Sequence, residues 1–532
     1  MKLYSMLLTI LTASAVAAFA DVTIPGPHEL PDPDGSFGST DKPVKVYILS
    51  GQSNMVGEGV ISKIDEDTLE EMPGTLKTLT LTDGLFPHLI DASNNWTVRN
   101  DVMYRGVITA IGNGPLTPGV MGSKIGPEMG FGHIMGYFHD EPVIVLKTSQ
   151  GNRSISWDYA PPSTERFTWF DGATDWTYAA YGETPGRWET GRTSEPISWY
   201  AGLQYDQCFT DEAEWSTTAR ALGFGSVFSV TDILDNFALQ YPQYAAQGFE
   251  IAGYGWWQGH KDQYEPMASR YELNMVNLIN DLRRYYEKRY PDNCIPDAPF
   301  VIATIAFGGW DLAEPGLSVA NGQLAVSGET GNYPDFEGNV KTVEARGFWR
   351  DSSVSPTTLG YHYNGNAETF MLVGDAMGMA MAEMITPYFV DAGENMVTWS
   401  GEPVHLDATV EEGVTVTSYY WTAEPADGVV FTPNDGGDGS TCSVEDPMVT
   451  ITKAVGDPVT VAIKLTVNDG INPPVSNTIT IDVYDTGCDA TIGEGMKMPY
   501  DFDEDCEIGL GDLAVVIEKW LTSTASPGPV IK

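Results

Sequence analysis

Side chains able to do acyl-transfer chemistry fall at the ends of apolar runs. Ser53 closes the stretch Val44-Lys45-Val46-Tyr47-Ile48-Leu49-Ser50-Gly51-Gln52-Ser53-Asn54-Met55. Val44, Val46, Ile48 and Leu49 give the pattern of a parallel strand covered on both faces. Gly51 permits a sharp turn, and Gly57 and Gly59 follow. A serine just past the carboxyl end of such a strand stands where ligands collect in open α/β sheets. Beside backbone N–H groups that open a helix, its hydroxyl is placed as a nucleophile with an oxyanion site adjoining it. Gly151 follows a second apolar run, Pro142-Val143-Ile144-Val145-Leu146-Lys147, and can aim its N–H at a substrate oxygen. Of seven histidines, His362 in Gly360-Tyr361-His362-Tyr363-Asn364-Gly365 is the best placed, just before an expected helix. Ala367, Met371, Val373, Ala376 and Met377 give that helix its apolar spacing.

The intervening chain alternates strand and helix signals. Pro127 and Glu128 suit the start of a helix, and Glu128 favours its positive end. A strand is expected over 249–254, a long helix over 264–289 with basic residues at its end, and a buried strand over 299–306. A helix is also read over 227–243. This alternation predicts a parallel sheet with helices on both faces. Residues 60–120 read as loop-rich, and 155–225 as an aromatic insertion without periodicity. The rings of that insertion either pack its own small core or in part line a glycan cleft. From 389 to 486 short alternating segments (397–399, 404–406, 414–416, 419–421, 449–452, 459–467 and 478–483) predict a β-sandwich.

A chain of 532 residues suggests two to four domains. Residues 1–20 read as a secretory signal peptide: Lys2, an apolar run over 7–19, and Ala18-Phe19-Ala20 as the cleavage pattern. Residues 21–43, rich in Pro, Gly and Asp, read as a linker. No later stretch is long enough to span a membrane, so the expected location is extracellular or periplasmic. A formal net charge of −45 argues against nucleic acid as a partner. Export permits disulfides. Of five cysteines, Cys488 and Cys506 are the best pair, Cys208 with Cys294 is a second possibility, and Cys442 is left over.

The Gly51-Gln52-Ser53-Asn54-Met55 string resembles the first block of the SGNH hydrolases. Within them it is similar to the sialate O-acetylesterase and acetylxylan esterase group. The Gly126-Pro127-Glu128 segment, Gly151 after its strand, Trp257-Gln258-Gly259 and His362 resemble the later blocks in order, over roughly 44–388. The resemblance implies a flavodoxin-like three-layer α/β/α domain. It implies ester hydrolysis with Ser53 as nucleophile and His362 as general base, and an oxyanion site of Ser53, Gly151 and Gln258. Gln52, Asn54, Glu128, Trp257 and His260 are the expected substrate contacts. His260 stands where that group has glutamate, and Leu359 where the usual Asp-x-x-His has aspartate. Asp262 is therefore the expected acid. No cofactor is expected for catalysis. The substrate implied is an acetylated carbohydrate, sialic acid or xylan. The alternative is a non-catalytic glycan-binding or cell-surface protein that keeps the fold.

The 389–486 segment resembles Ig-like domains of secreted glycan-active enzymes. The tail, 487–532, resembles one repeat of a dockerin-type module. Asp501, Asp503, Asp505, Glu507 and Asp512 have calcium-loop spacing. The resemblance implies calcium there and, through these modules, a cell-surface or scaffold partner.

Overall fold

In the computed structural model, the described residues are Gly35, 37–211, 228–328, 330–385, 390–393, 395–410, 414–433, 441–468 and 475–493. The expected signal peptide, most of the linker, and the calcium-loop residues Asp501, Asp503, Asp505, Glu507 and Asp512 lie outside them. The chain divides into two compact units, with one boundary between Ile385 and Thr386.

The first unit is built on a seven-stranded sheet. Its order is Val340–Val343, Phe300–Ala303, Phe249–Trp257, Val44–Gly51, Val143–Ser149, Arg99–Ile108 and Asn113–Leu116. Every neighbouring pair is parallel except the last. Helix Tyr271–Arg289 buries Tyr271, Met275, Leu278, Ile279 and Leu282 in a core with Val46, Ile48, Ile144 and Trp256. On the other face Phe131 of helix Glu128–Phe138 packs edge-on against Tyr47, with ring centroids 5.4 Å apart. Helix Ala367–Ile385 lies on that face too: Met377 and Met381 reach the glycine positions Gly255 and Gly253. The unit is thus a mixed α/β fold around a mostly parallel sheet, covered on both sides.

Several local expectations are corrected. The loop-rich reading of 60–120 misses the sheet strand Arg99–Ile108, because its start is polar. Arg99 and Asp101 are buried there as an ion pair that satisfies both charges. The insertion contains a three-stranded antiparallel sheet, Phe167–Phe170, Asp175–Tyr178 and Arg187–Glu189, and a helix, Leu203–Phe209. Its Trp157 and Trp188 pack on Ala160, Ala179 and Ala201, so these rings build a core rather than a cleft. The helix expected over 227–243 breaks at Asn236 into Val230–Asp235 and Phe237–Gln240. The helix expected from 264 starts at Tyr271: Pro266 disfavours helical backbone at Glu265, and the short 3-10 turn Ala268–Arg270 precedes the helix. Cys208 and Cys294 are both buried free thiols, which overturns their possible pairing. Cys488 is disulfide-bonded, and its expected partner Cys506 lies outside the described residues.

The second unit is β-rich. A five-stranded sheet runs Met396–Trp399, Val475–Tyr484, Val459–Asn468, Ser418–Glu424 and Thr441–Cys442, and a three-stranded sheet runs Pro403–His405, Met448–Ile451 and Val429–Thr432. Trp421, Phe431, Val449, Ile463 and Ile481 share one core between them. The alternation in Val459–Asn468, with Val461, Ile463, Leu465 and Val467 inward, shows why this strand is readable from sequence. The expected strand over 414–416 is absent from the described structure.

One buried ion pair ties the first unit together behind the turn at Ser53. Lys147, inside its strand, donates to Glu128 Oε2 at 2.6 Å and to the carbonyl of Val56 at 2.7 Å. Glu128 Oε1 accepts the Gly126 N–H at 2.8 Å. Burial pushes the lysine pKa down, and Glu128 opposes that shift. Removing one member of such a pair costs about 3–5 kcal/mol, while apolar replacement of both is far milder. Lys147→Met should lower the urea-unfolding free energy by that amount, and adding Glu128→Leu should recover most of it. A double variant no more stable than the single one would assign the loss to something other than an unpaired charge.

Candidate active site

Three strands deliver the candidate residues to one edge. Gly51 is level with Trp257 on one side and Ser149 on the other. The chain after each strand therefore leaves at the same height, with Ser53, Gln258 and Gly151 each within two residues of a strand end. Gly51 itself admits no side chain: a Cβ there would lie 2.1 Å from the Trp257 carbonyl oxygen. Its own carbonyl accepts the Tyr159 hydroxyl at 3.0 Å, so the aromatic insertion supports the turn.

Ser53 begins a one-turn helix, Ser53–Val56. His362 arrives from 309 residues away, and its Nε2 lies 3.1 Å from Ser53 Oγ. A Cβ placed at Gly151 would lie 3.6 Å from Ser53 Cβ, so that loop borders Ser53. Among the described residues the amides of Ser53 and Gly151 have no acceptor. Two donors beside a hydroxyl that contacts an imidazole make an arrangement able to transfer an acyl group.

The His362 segment carries local strain. Tyr363 and Asn364 have φ of 50° and 55°, left-handed values that non-glycine residues seldom adopt. Packing holds them. Tyr363 stacks with Trp257 and with Phe307, at centroid distances of 5.0 and 4.9 Å, and its hydroxyl accepts the Ala306 N–H at 3.0 Å. Asn364 Nδ2 donates to the Arg350 carbonyl at 3.0 Å.

Other expected roles are corrected. Asp262 does not orient His362. Its carboxylate accepts from Gln258 Nε2 at 2.6 Å and from the amides of Ile155 and Ser156 at 3.1 and 3.2 Å. Gln258 is equally committed: Nε2 also donates to the Arg153 carbonyl at 2.8 Å and to Gln52 Oε1 at 3.2 Å, and Oε1 accepts the Tyr271 hydroxyl at 2.9 Å. With its amide hydrogens spent, Gln258 builds the loop and is no oxyanion donor. Gln52 Oε1 further accepts the amides of Gly259 and Lys261, both at 3.3 Å. Glu128 is the buried partner of Lys147, and Trp257 is buried with its Nε1 on the Thr304 carbonyl at 3.3 Å. Neither can touch a substrate. Asn54 Nδ2 donates to the Tyr361 carbonyl at 3.2 Å, which steadies the residue beside His362.

His260 stays half-buried at the site edge, with its ring 6.0 Å from Tyr361 and 5.2 Å from Phe307. Burial lowers its pKa, with His362 and Lys261 adding to the shift. Two residues at this edge carry no motif signal. Trp310, on the loop after Phe300–Ala303, is 68% exposed, and Tyr361 is 48% exposed. Glu58, just after the turn at Ser53, carries no motif signal either, and its Oε2 lies 3.8 Å from His362 Nδ1.

Residues 43–178 match the family model described as carbohydrate esterase, sialic acid-specific acetylesterase. The matched span holds Ser53 and Gly151, and supports a hydrolase acting on carbohydrate esters. No curated protein matches the chain. Among solved structures, a protein from Arabidopsis thaliana is 15% identical, covering 64% of this chain and 98% of its own, with a TM-score of 0.34. A carbohydrate acetylesterase from Xanthomonas citri is 12% identical, with 78% and 74% covered and a TM-score of 0.32. A PKD domain is 23% identical over 18% of this chain and 87% of its own, with a TM-score of 0.15.

Asp262 also makes stability depend on pH. Burial pushes its pKa up from 3.8 to about 6, against the N–H donors that favour the ionised form. The folded chain thus holds this proton more tightly than the unfolded chain. The stabilisation is complete below 3.8 and is lost as pH rises to about 6, roughly 3 kcal/mol in all. Urea-unfolding free energies taken across this window should fall with pH in the wild type and fall less in Asp262→Asn. Equal slopes would place the titration elsewhere.

Proposed function

We propose that the chain is an exported serine esterase that removes O-acetyl groups from carbohydrates through an acyl-enzyme on Ser53. The observation that carries this reading is the 3.1 Å contact between Ser53 Oγ and His362 Nε2, made beside two unengaged amides. His362 Nε2 takes the hydroxyl proton as Oγ attacks the acetyl carbonyl carbon. The carbonyl oxygen gains the electron pair and accepts from the Ser53 and Gly151 N–H groups. As the tetrahedral centre collapses, the sugar oxygen leaves and takes the proton from His362. Water then repeats the cycle on the acyl-serine, and acetate departs. Trp310, which carries the Arg346 guanidinium over its ring at 4.7 Å and is still 68% exposed, and Tyr361 leave aromatic surface at the same sheet edge that suits the apolar C–H surface of a sugar ring. Export rests on the pattern of residues 1–20, and calcium binding in the tail on the acidic spacing of 501–512.

Acetate release from acetylated xylan and from O-acetylated sialic acid tests the reading. Ser53→Ala and His362→Ala should each lower kcat/KM about 1000-fold or more, and a serine-directed phosphonate should label the wild type at Ser53. Burial lowers the His362 pKa; Glu58 works against that shift and Lys124 adds to it. The base must be neutral, so kcat/KM should rise with pH through an inflection below the ordinary imidazole value of about 6.5 and then hold level. A chain that releases no Ser53-dependent acetate from either substrate would be a glycan-binding protein instead.

A further inference from the structure

The side chain at 359, where an aspartate would complete the usual pattern, is a leucine that is 43% exposed. His362 nevertheless has a carboxylate at its outer nitrogen. Glu58 Oε2 stands 3.8 Å from Nδ1, while Nε2 faces Ser53. No other carboxylate among the described residues comes within ion-pair distance of this ring, and Asp262 is spent on Gln258 and two amides.

We propose that Glu58 is the positioning acid of His362, supplied by the nucleophile's own segment in place of the missing aspartate. This rests on the esterase reading of Ser53 and His362. The backbone around Glu58 is tightly set. The Gly57 N–H donates to the Ser53 carbonyl at 3.0 Å, which ends the nucleophile's helix just before Glu58. Gly57 has φ of 115°, and a Cβ there would lie 2.8 Å from the Gly126 nitrogen, so only glycine fits. Gly59–Val60 then pairs antiparallel with Lys124–Ile125. That pairing brings Lys124 into an ion pair with Glu58. Val60 also borders the His362 loop: its Cγ2 lies 3.1 Å from a Cβ built at Gly365. The nucleophile, Glu58 and the base are thereby closed on one another by a few backbone contacts.

The charged and titratable groups around His362 are Ser53, Glu58, Lys124 behind Glu58, and His260 across the Tyr361 ring. As Nε2 takes the serine proton, positive charge spreads over the ring beside the Glu58 carboxylate. Glu58 stabilises that imidazolium and favours the tautomer with hydrogen on Nδ1 and a lone pair on Nε2. Lys124 holds Glu58 and tempers its charge. Distances of this kind tighten when substrate binds.

The test compares full-length wild type, Glu58→Gln, and Glu58→Gln with Leu359→Asp, using 4-nitrophenyl acetate and the acetylated glycan that the wild type turns over. Glu58→Gln should lose about 10-fold or more in kcat with KM little changed, short of the ~10⁴-fold loss typical of a fully buried triad acid. Its acid limb should move to lower pH, because the carboxylate that raises the His362 pKa is gone. Leu359→Asp should restore part of kcat by supplying an acid from the usual position. A merely structural role for Glu58 would not shift the limb. With Ser53-dependent turnover present, an unchanged limb and kcat in Glu58→Gln overturn the Glu58 proposal alone. Without such turnover in the wild type, the esterase reading falls and takes this proposal with it.

Discussion

The strand Val44–Gly51 is paired on both edges, and its last residue is level with the last residue of each neighbour. Parallel pairing sends the chain out of all three strands in one direction, so three loops crowd a single edge. The crowding is severe enough that Gly51 lies against the Trp257 carbonyl with no room for a Cβ. Every candidate catalytic contact depends on this register. A slip of one residue would turn Ser53 and Gly151 to opposite sides.

What fills the space under those loops is polar. Gln258, Asp262, Gln52, Tyr271 and Gln323 form one buried hydrogen-bonded network, with the Arg153 carbonyl and the amides of residues 155, 156, 259 and 261 as further members. Such a network specifies one loop geometry, because each unmet donor or acceptor in it carries a full desolvation cost. Lys147 and Glu128 do the same beneath the helix that Ser53 begins, through the Val56 carbonyl. Residues within recognisable motif blocks are thus split between two duties. Ser53, Gly151 and His362 face the site, while Gln52, Glu128, Trp257 and Gln258 hold it in shape.

His362 is placed by strain that packing offsets. Two successive left-handed residues follow His362, a conformation that costs of order 1–3 kcal/mol per residue. The stacked rings of Tyr363, Trp257 and Phe307 and the Asn364 side-chain bond hold that turn in place. Trp257 belongs to the strand beside the one that leads to Ser53, so the same register that sets Ser53 also sets the ring against which the histidine turn packs.

Local pattern determined much of this on its own. Apolar runs at 44–49 and 142–147 are readable because a strand buried on both faces needs nearly every side chain to be apolar. Ser53, Gly151 and His362 stand at strand ends and a helix start that local pattern marks, and the ordered motif blocks single them out. Arg99–Ile108 was hidden, since its polar start is satisfied by an ion pair that no local window displays. The partners of Gln258, Asp262 and Glu58 are visible only in the tertiary structure. Asp262 lies four residues from Gln258 and close to it in space, while Glu58 meets a histidine some three hundred positions away. A side chain's role in a site depends on which hydrogen-bond partners are left over once the loops have closed, and that remainder exists only in three dimensions.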